Sequence, residues 1–195
     1  MGAQGFYPFS SSGEEETASF YVYPKAEISY KSGNGKMVPF LKYEGSYYLN
    51  SFTSFSQENP YVAPTLEMKS TQVNHNGDIG FNSHPGSGLS FKLNAHYSQT
   101  DNFPMYRRLP YDQSNDDMAY RIANSYEVIY APVEKMGIVT RIAMRFNEYN
   151  KISLETAYYK YHREGEEKVL NLPSLTVDLN ANFRLGRKIF FQFEG

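Results

Sequence analysis

Six charged side chains stand out for chemistry in this 195-residue chain: Lys92, Arg141, Arg145, Glu155, Asp178 and Arg184. All lie on the polar face of stretches where apolar and polar residues alternate. On neighbouring strands they would line a charged lumen, where such groups tune selectivity or seat a plug. The plainer reading of the same six is a generic hydrated face. No catalytic arrangement competes with them. His75, His84, His96 and His162 sit on different strands or turns without the paired spacing of metal ligands. Asp116-Asp117 and the acidic run from Glu164 to Glu167 lack the Asp/Asn/Gly ladder of a calcium loop. SGNGK at 32–36 lacks the spacing and following helix of a phosphate loop, and reads as a hairpin turn. Neither GxSxG nor HExxH occurs. The chain is therefore expected to be no enzyme and to need no cofactor.

The element that must position these charges is a long two-faced strand. Residues 174–185, SLTVDLNANFRL, alternate without a fault. Leu175, Val177, Leu179, Ala181, Phe183 and Leu185 fall on one face, with Thr176, Asp178, Asn180, Asn182 and Arg184 on the other. This is about twice the common strand length of roughly 5–6 residues. Further strands are expected at 18–31, 37–49, 66–82, 89–98, 103–109, 118–130, 137–147, 151–162 and 189–195. The phase of the first slips around Pro24. Pro60 and Pro64 block regular structure in the loop at 51–65, and PVEK at 132–135 reads as a turn. Residues 1–17 read as a flexible N-terminal segment and 18–195 as one β-barrel segment. No stretch shows helical periodicity over a dozen residues. The expected fold is all-β, an antiparallel up-and-down meander of about ten strands, forming a transmembrane β-barrel or part of one.

Composition narrows the setting. A net charge of −2 and a pI near 6.1 argue against a nucleic-acid surface, which is normally basic. Cysteine is absent, excluding a disulfide framework, a thiolate metal site and a cysteine nucleophile. Eighteen Tyr and fourteen Phe suit a wall between hydrocarbon and headgroups, and equally suit any all-β protein. No run approaches the ~18 apolar residues of a membrane helix, which leaves a barrel open. The N-terminus lacks the basic start and apolar core of a signal peptide, so the chain reads as a mature form or an excerpt of something longer.

Alternation alone does not say what the oily face touches. A soluble up-and-down barrel encloses an apolar ligand with the same pattern. A soluble barrel or sandwich binding an apolar ligand or surface partner is therefore the alternative. Strand length favours lipid, because about ten residues tilted near 40° give roughly 25 Å of height, the apolar band of an outer-membrane barrel. Loop lengths also favour it, though only in part. The turns at 32–36, 83–88, 147–150 and 186–188 are short, and 51–65 and 163–173 are long. The connection 110–117 falls in the mostly short set, and 131–135, in the other set, is short too.

The runs NSFTSFSQENPYVAPTLEMKSTQVN, GLSFKLNAHYSQTDNFPMY and ISLETAYYKYHREGEEKVLNLPSLTVDLNANFRLGRKIFFQFEG resemble the C-terminal barrel strands of TonB-dependent outer-membrane receptors. The closest likeness is to Bacteroidetes-type barrel proteins. It extends over about 45–195, and its most specific pieces are ENPYVAPTL and the hairpin through LPSLTVDLNANFRLGRKIFF. The resemblance implies a Gram-negative outer-membrane location, contact with outer-membrane lipid, and passage of a solute whose identity it leaves open. It further implies a larger barrel, an N-terminal plug and energy supplied through TonB. Neither plug nor TonB-contacting segment is recognisable here, so no ligand-binding residue is carried over.

Overall fold

The computed structural model describes residues 2–6, 21–31, 33, 35–109, 125–163, 172–186 and 189–195. Its strands are β1 (Gly2–Phe6), β2 (Tyr21–Ser29), β3 (Met37–Tyr48), β4 (Thr71–Gly86), β5 (Leu89–Arg108), β6 (Tyr126–Arg145), β7 (Lys151–Arg163), β8 (Leu175–Leu185) and β9 (Ile189–Glu194). They form a single antiparallel sheet in chain order. Among the described residues β1 and β9 each pair on one side only, so the sheet is open. The all-β meander expected from the alternation is the observed fold.

The strand expected at 66–82 spans Thr71–Gly86, which narrows the turn expected at 83–88 to 87–88. Four further boundaries differ from expectation, each for a physical reason. Gly2–Phe6, read as part of a flexible end, pairs with Tyr21–Lys25; a neighbouring strand supplies order that the residues do not supply themselves. Residues 7–17 lie outside the described residues. The strands expected at 89–98 and 103–109 are one strand, interrupted by a bulge between Thr100 and Phe103. Asn102 there has φ of 52°, a left-handed conformation that Asn tolerates better than most. The strands expected at 118–130 and 137–147 are likewise one, with PVEK running straight through it; residues 118–124 lie outside the described residues. Pro132 is tolerated because β7 begins pairing only at Val133. No neighbouring strand requires its missing N–H. Finally, the loop after β3 contains a short helix, α1 (Phe52–Glu58). A capping box starts it: Ser51 Oγ accepts from the Ser54 amide at 3.1 Å, and Ser54 Oγ from the Ser51 amide at 3.2 Å.

Merging the two strand pairs restores the rim asymmetry. The connections 30–36, 87–88, 146–150 and 186–188 share one rim, and all are short. The described connection on the other rim, 49–70, is long. The 110–117 connection lies outside the described residues, and the short one at 131–135 is strand, not a connection.

Register keeps the two faces continuous across the sheet. One transverse row runs Ile28, Leu41, Ile79, Ala95, Ile138, Tyr158, Leu175. The next row on the same face runs Pro39, Phe81, Leu93, Thr140, Thr156, Val177. The intervening row on the opposite face contains Phe40, Gly80, Asn94, Val139, Ala157 and Thr176. Here the polar face is the crowded one. Asn94 is 5% exposed, whereas Ile79 is 62% and Ile138 is 56% exposed on the apolar face. A sheet folding around an oily core would show the reverse.

Crowding also explains Gly80, and Gly33 is the contrast. A Cβ on Gly80 would land on the Leu93 carbonyl oxygen and 2.7 Å from Asn94 Cα, while one on Gly33 would meet nothing within 4 Å. Gly80→Ala is therefore expected to destabilise the fold by about 1–3 kcal/mol, and Gly33→Ala to change stability by less than about 0.5 kcal/mol. Urea titration of the detergent-folded variants measures both.

Candidate functional site

The polar face brings together four of the six charges singled out in the sequence. Lys92, Arg141, Glu155 and Asp178 are successive register partners across β5, β6, β7 and β8. Two cations thus stand beside two carboxylates in one row, bridged where Arg141 Nη1 lies 3.6 Å from Glu155 Oε2. Both partners of that pair are exposed, so it contributes little to stability; its effect is a fixed gradient of charge along the row. Lys92 Nζ also lies 5.4 Å from the Phe40 ring. Arg145 and Arg184 stand nearer the short-turn rim. Arg145 pairs with Lys151 in register. The Arg184 guanidinium stacks over Tyr149 at 4.4 Å and Phe190 at 5.0 Å, and its Nε donates to the Gly186 carbonyl at 3.1 Å. It anchors a turn and does not join the row.

A second polar group was not apparent in the sequence. Asp78 on β4 accepts from Asn94 Nδ2 at 2.7 Å and lies 3.1 Å from His96 Nδ1. Lys25 and Lys42 both reach Glu44, at 3.3 and 2.9 Å. Glycines 77 and 80 thin the alternation of β4, and that conceals the register which sets Asp78 opposite His96. One row further, Lys135 Nζ lies 3.8 Å from the centre of the Tyr159 ring. That ring fills space left by Gly137, whose Cβ would collide with it.

Above these rows, on the long-loop side, β5 and β6 run on past their neighbours. β4 stops pairing at Gln72 opposite Asp101, and β7 at Arg163 opposite Val133. The segment 49–70 straps over this projecting hairpin. Phe55 of α1 and Val62 pack against Val128, with Leu66, Tyr106 and Tyr130 around them. Beyond the end of β7, Tyr126 exchanges backbone hydrogen bonds with the strap, donating to Tyr61 O at 2.9 Å and accepting from Ala63 N at 2.8 Å. The Tyr130 hydroxyl donates to Glu67 O and accepts from the Lys69 amide. The Tyr106 hydroxyl donates to Glu58 Oε2. On the other side of the hairpin Met105 is buried with Ala131 and Val133, and Phe103 packs against them.

Between the strap, the ends of β3 and β4, and the overhanging edge of β5 lies a cavity of about 460 Å³. Its lining includes Tyr48, Phe103, Met105, Tyr106 and Leu172, with Asn50, Thr71, Thr100 and Glu58 as polar members. Asn50 is held in place, donating to Lys69 O at 2.7 Å and to Thr71 Oγ1 at 2.8 Å.

Comparison with known proteins agrees with this architecture. The copper transporter OprC superposes with a TM-score of 0.54 at 12% sequence identity, over 87% of this chain and 25% of that one. The chain thus spans about a quarter of the length of that transporter. At this identity the likeness carries the fold alone, an antiparallel β meander, and does not extend to the narrower Bacteroidetes likeness. No protein-family model matches the chain, and no curated protein matches it in sequence.

Burial first, and then the hydrogen bond to the Glu58 carboxylate, raise the Tyr106 phenol above its ordinary pKa of 10.0. Burial likewise raises that of Tyr130. A phenol whose folded pKa is raised holds its proton more tightly in the docked strap. Its contribution is complete below about pH 10 and is lost as pH rises through the higher folded value. Proteolysis within 49–70 is therefore expected to accelerate above about pH 10. Tyr106→Phe should remove much of that step, at a cost of about 1 kcal/mol or less at neutral pH.

Proposed function

We propose that this chain forms part of the wall of a Gram-negative outer-membrane β-barrel that takes part in uptake or passage of a solute. The apolar face of β2 to β9 lies against lipid. The polar face, with the Lys92, Arg141, Glu155 and Asp178 row, looks into a lumen. One observation carries the reading: the apolar face is the exposed one, and the polar face is crowded. Neither Phe91 nor Leu179 lies in a closed core. The apolar rows between Met136 and Met144 on β6 and between Leu175 and Leu185 on β8 continue for about ten residues, roughly the 25 Å apolar band of such barrels. Short turns on one rim and long loops on the other add to it.

The open edges at β1 and β9 are completed, in this reading, by further strands of a larger barrel. A plug domain against the polar face and TonB as the energy source are the partners that the resemblance and the OprC likeness suggest. The metal named for OprC is not carried over. Among the described residues no three of His, Cys, Asp and Glu gather at one point. The soluble alternative would enclose Ile79, Ile138 and Val177, which are instead exposed; no observation favours it.

The chain has no cysteine, so single-cysteine variants report individual positions. Fluorophores at Ile79, Ile138 and Val177 are expected to be quenched by nitroxide-labelled lipid in reconstituted vesicles. Labels at Asp78, Glu155 and Asn180 are expected to respond instead to aqueous quenchers. Equal lipid quenching of both sets would overturn the proposal. In the same setting Ile138→Arg is expected to cost about 2–4 kcal/mol, and Thr176→Arg on the opposite face much less.

A further inference from the structure

We infer that the cavity beneath the 49–70 strap is a binding site for a small organic ammonium ion. The inference names a ligand class for the loop-side mouth of the proposed barrel, and in that respect rests on the uptake reading. The cavity itself is described independently of it. Its volume of about 460 Å³ falls within the range of small-molecule sites. Its walls are aromatic and apolar, with Tyr48, Phe103 and Tyr106 presenting rings and Met105 closing the floor at 1% exposure.

Among the described residues of that lining, Glu58 is the only charged one. It accepts from the Tyr106 hydroxyl, and among the described residues no cationic side chain pairs with it. A carboxylate beside several aromatic faces favours a cation twice over, by direct charge attraction and by the negative face of each ring. An anion would meet Glu58 without compensation. A neutral apolar molecule would gain from the walls but leave the carboxylate unpaired. Asn50, Thr71 and Thr100 supply polar atoms for a hydroxyl or amide on the same ligand.

The overhang of β5 creates this site. β4 ends at Thr71, and β5 continues to Arg108, leaving a step that the strap roofs but does not fill. Pro104, which has no N–H, stands in the cavity wall on that step.

The test uses choline and its neutral carbon isostere, 3,3-dimethylbutan-1-ol, which share shape and hydroxyl and differ in charge. Binding to the full detergent-folded chain is followed by titration calorimetry or by ligand-detected NMR. Choline is expected to bind saturably and about tenfold or more tightly than the isostere, a difference of about 1.4 kcal/mol. Glu58→Gln, which keeps an acceptor for Tyr106, should abolish that preference while leaving isostere binding unchanged. Tyr48→Leu, at an exposed ring, should weaken choline more than the isostere. Equal binding of the two probes overturns the inference, as does an unchanged preference in Glu58→Gln. No saturable choline binding up to about 10 mM overturns it as well. Lipid quenching at Ile79 and Ile138 reports on the barrel reading separately, because those positions lie in the apolar belt and the cavity lies outside it.

Discussion

Register is the constraint on which the rest of this structure depends. A strand presents its side chains to alternate faces, so shifting any ladder by one residue would move its whole apolar set to the polar side. Here the ladders align one apolar row across seven strands, from Ile28 on β2 to Leu175 on β8. Where strands depart from strict alternation, they do so near the rims, at a bulge between Ser83 and Gly86 beside a short turn and at three on the long-loop side. Of these three, one lies between Glu44 and Ser46, one between Val73 and His75, and one between Thr100 and Phe103. In the proposed barrel, a wall with two incompatible solvents on its sides tolerates irregularity only where both sides are wet.

The strands facing hydrocarbon in this reading were legible in the sequence because both faces declare themselves there. Residues 89–98, 137–147 and 174–185 alternate cleanly, and the structure keeps their phase. The joins were not legible. Thr100, Asp101 and Asn102 have turn chemistry, and so does the Pro132-Val133-Glu134-Lys135 stretch. In both places tertiary pairing overrides the local preference: the first becomes a bulge and the second continues as strand. The helix at Phe52–Glu58 was hidden for a different reason, since seven residues are too few to establish a period.

The polar row shows the same division. Lys92, Arg141, Glu155 and Asp178 were recognisable as polar-face residues from spacing alone, but their common row is a property of register between four strands. Arg184 illustrates what spacing omits. Its polar phase was correct, yet its guanidinium is engaged by Tyr149 and Phe190 at the adjacent turns. Asp78 and His96 were each visible singly; only the pairing of a glycine-thinned strand with its neighbour brings them within 3.1 Å. The cavity by the strap had no sequence signal, because it arises from the unequal lengths of β4 and β5.

Those unequal lengths have a further consequence. A projecting two-stranded ribbon invites recruitment of stray strands, the route by which β-rich proteins clump during assembly. Both flanks of this ribbon are defended, in different ways. Pro104 on one flank and Pro132 on the other each delete a donor where an intruder would need it, and the Tyr61–Ala63 stretch already occupies the groups of Tyr126. The projection is therefore insulated against edge-to-edge aggregation.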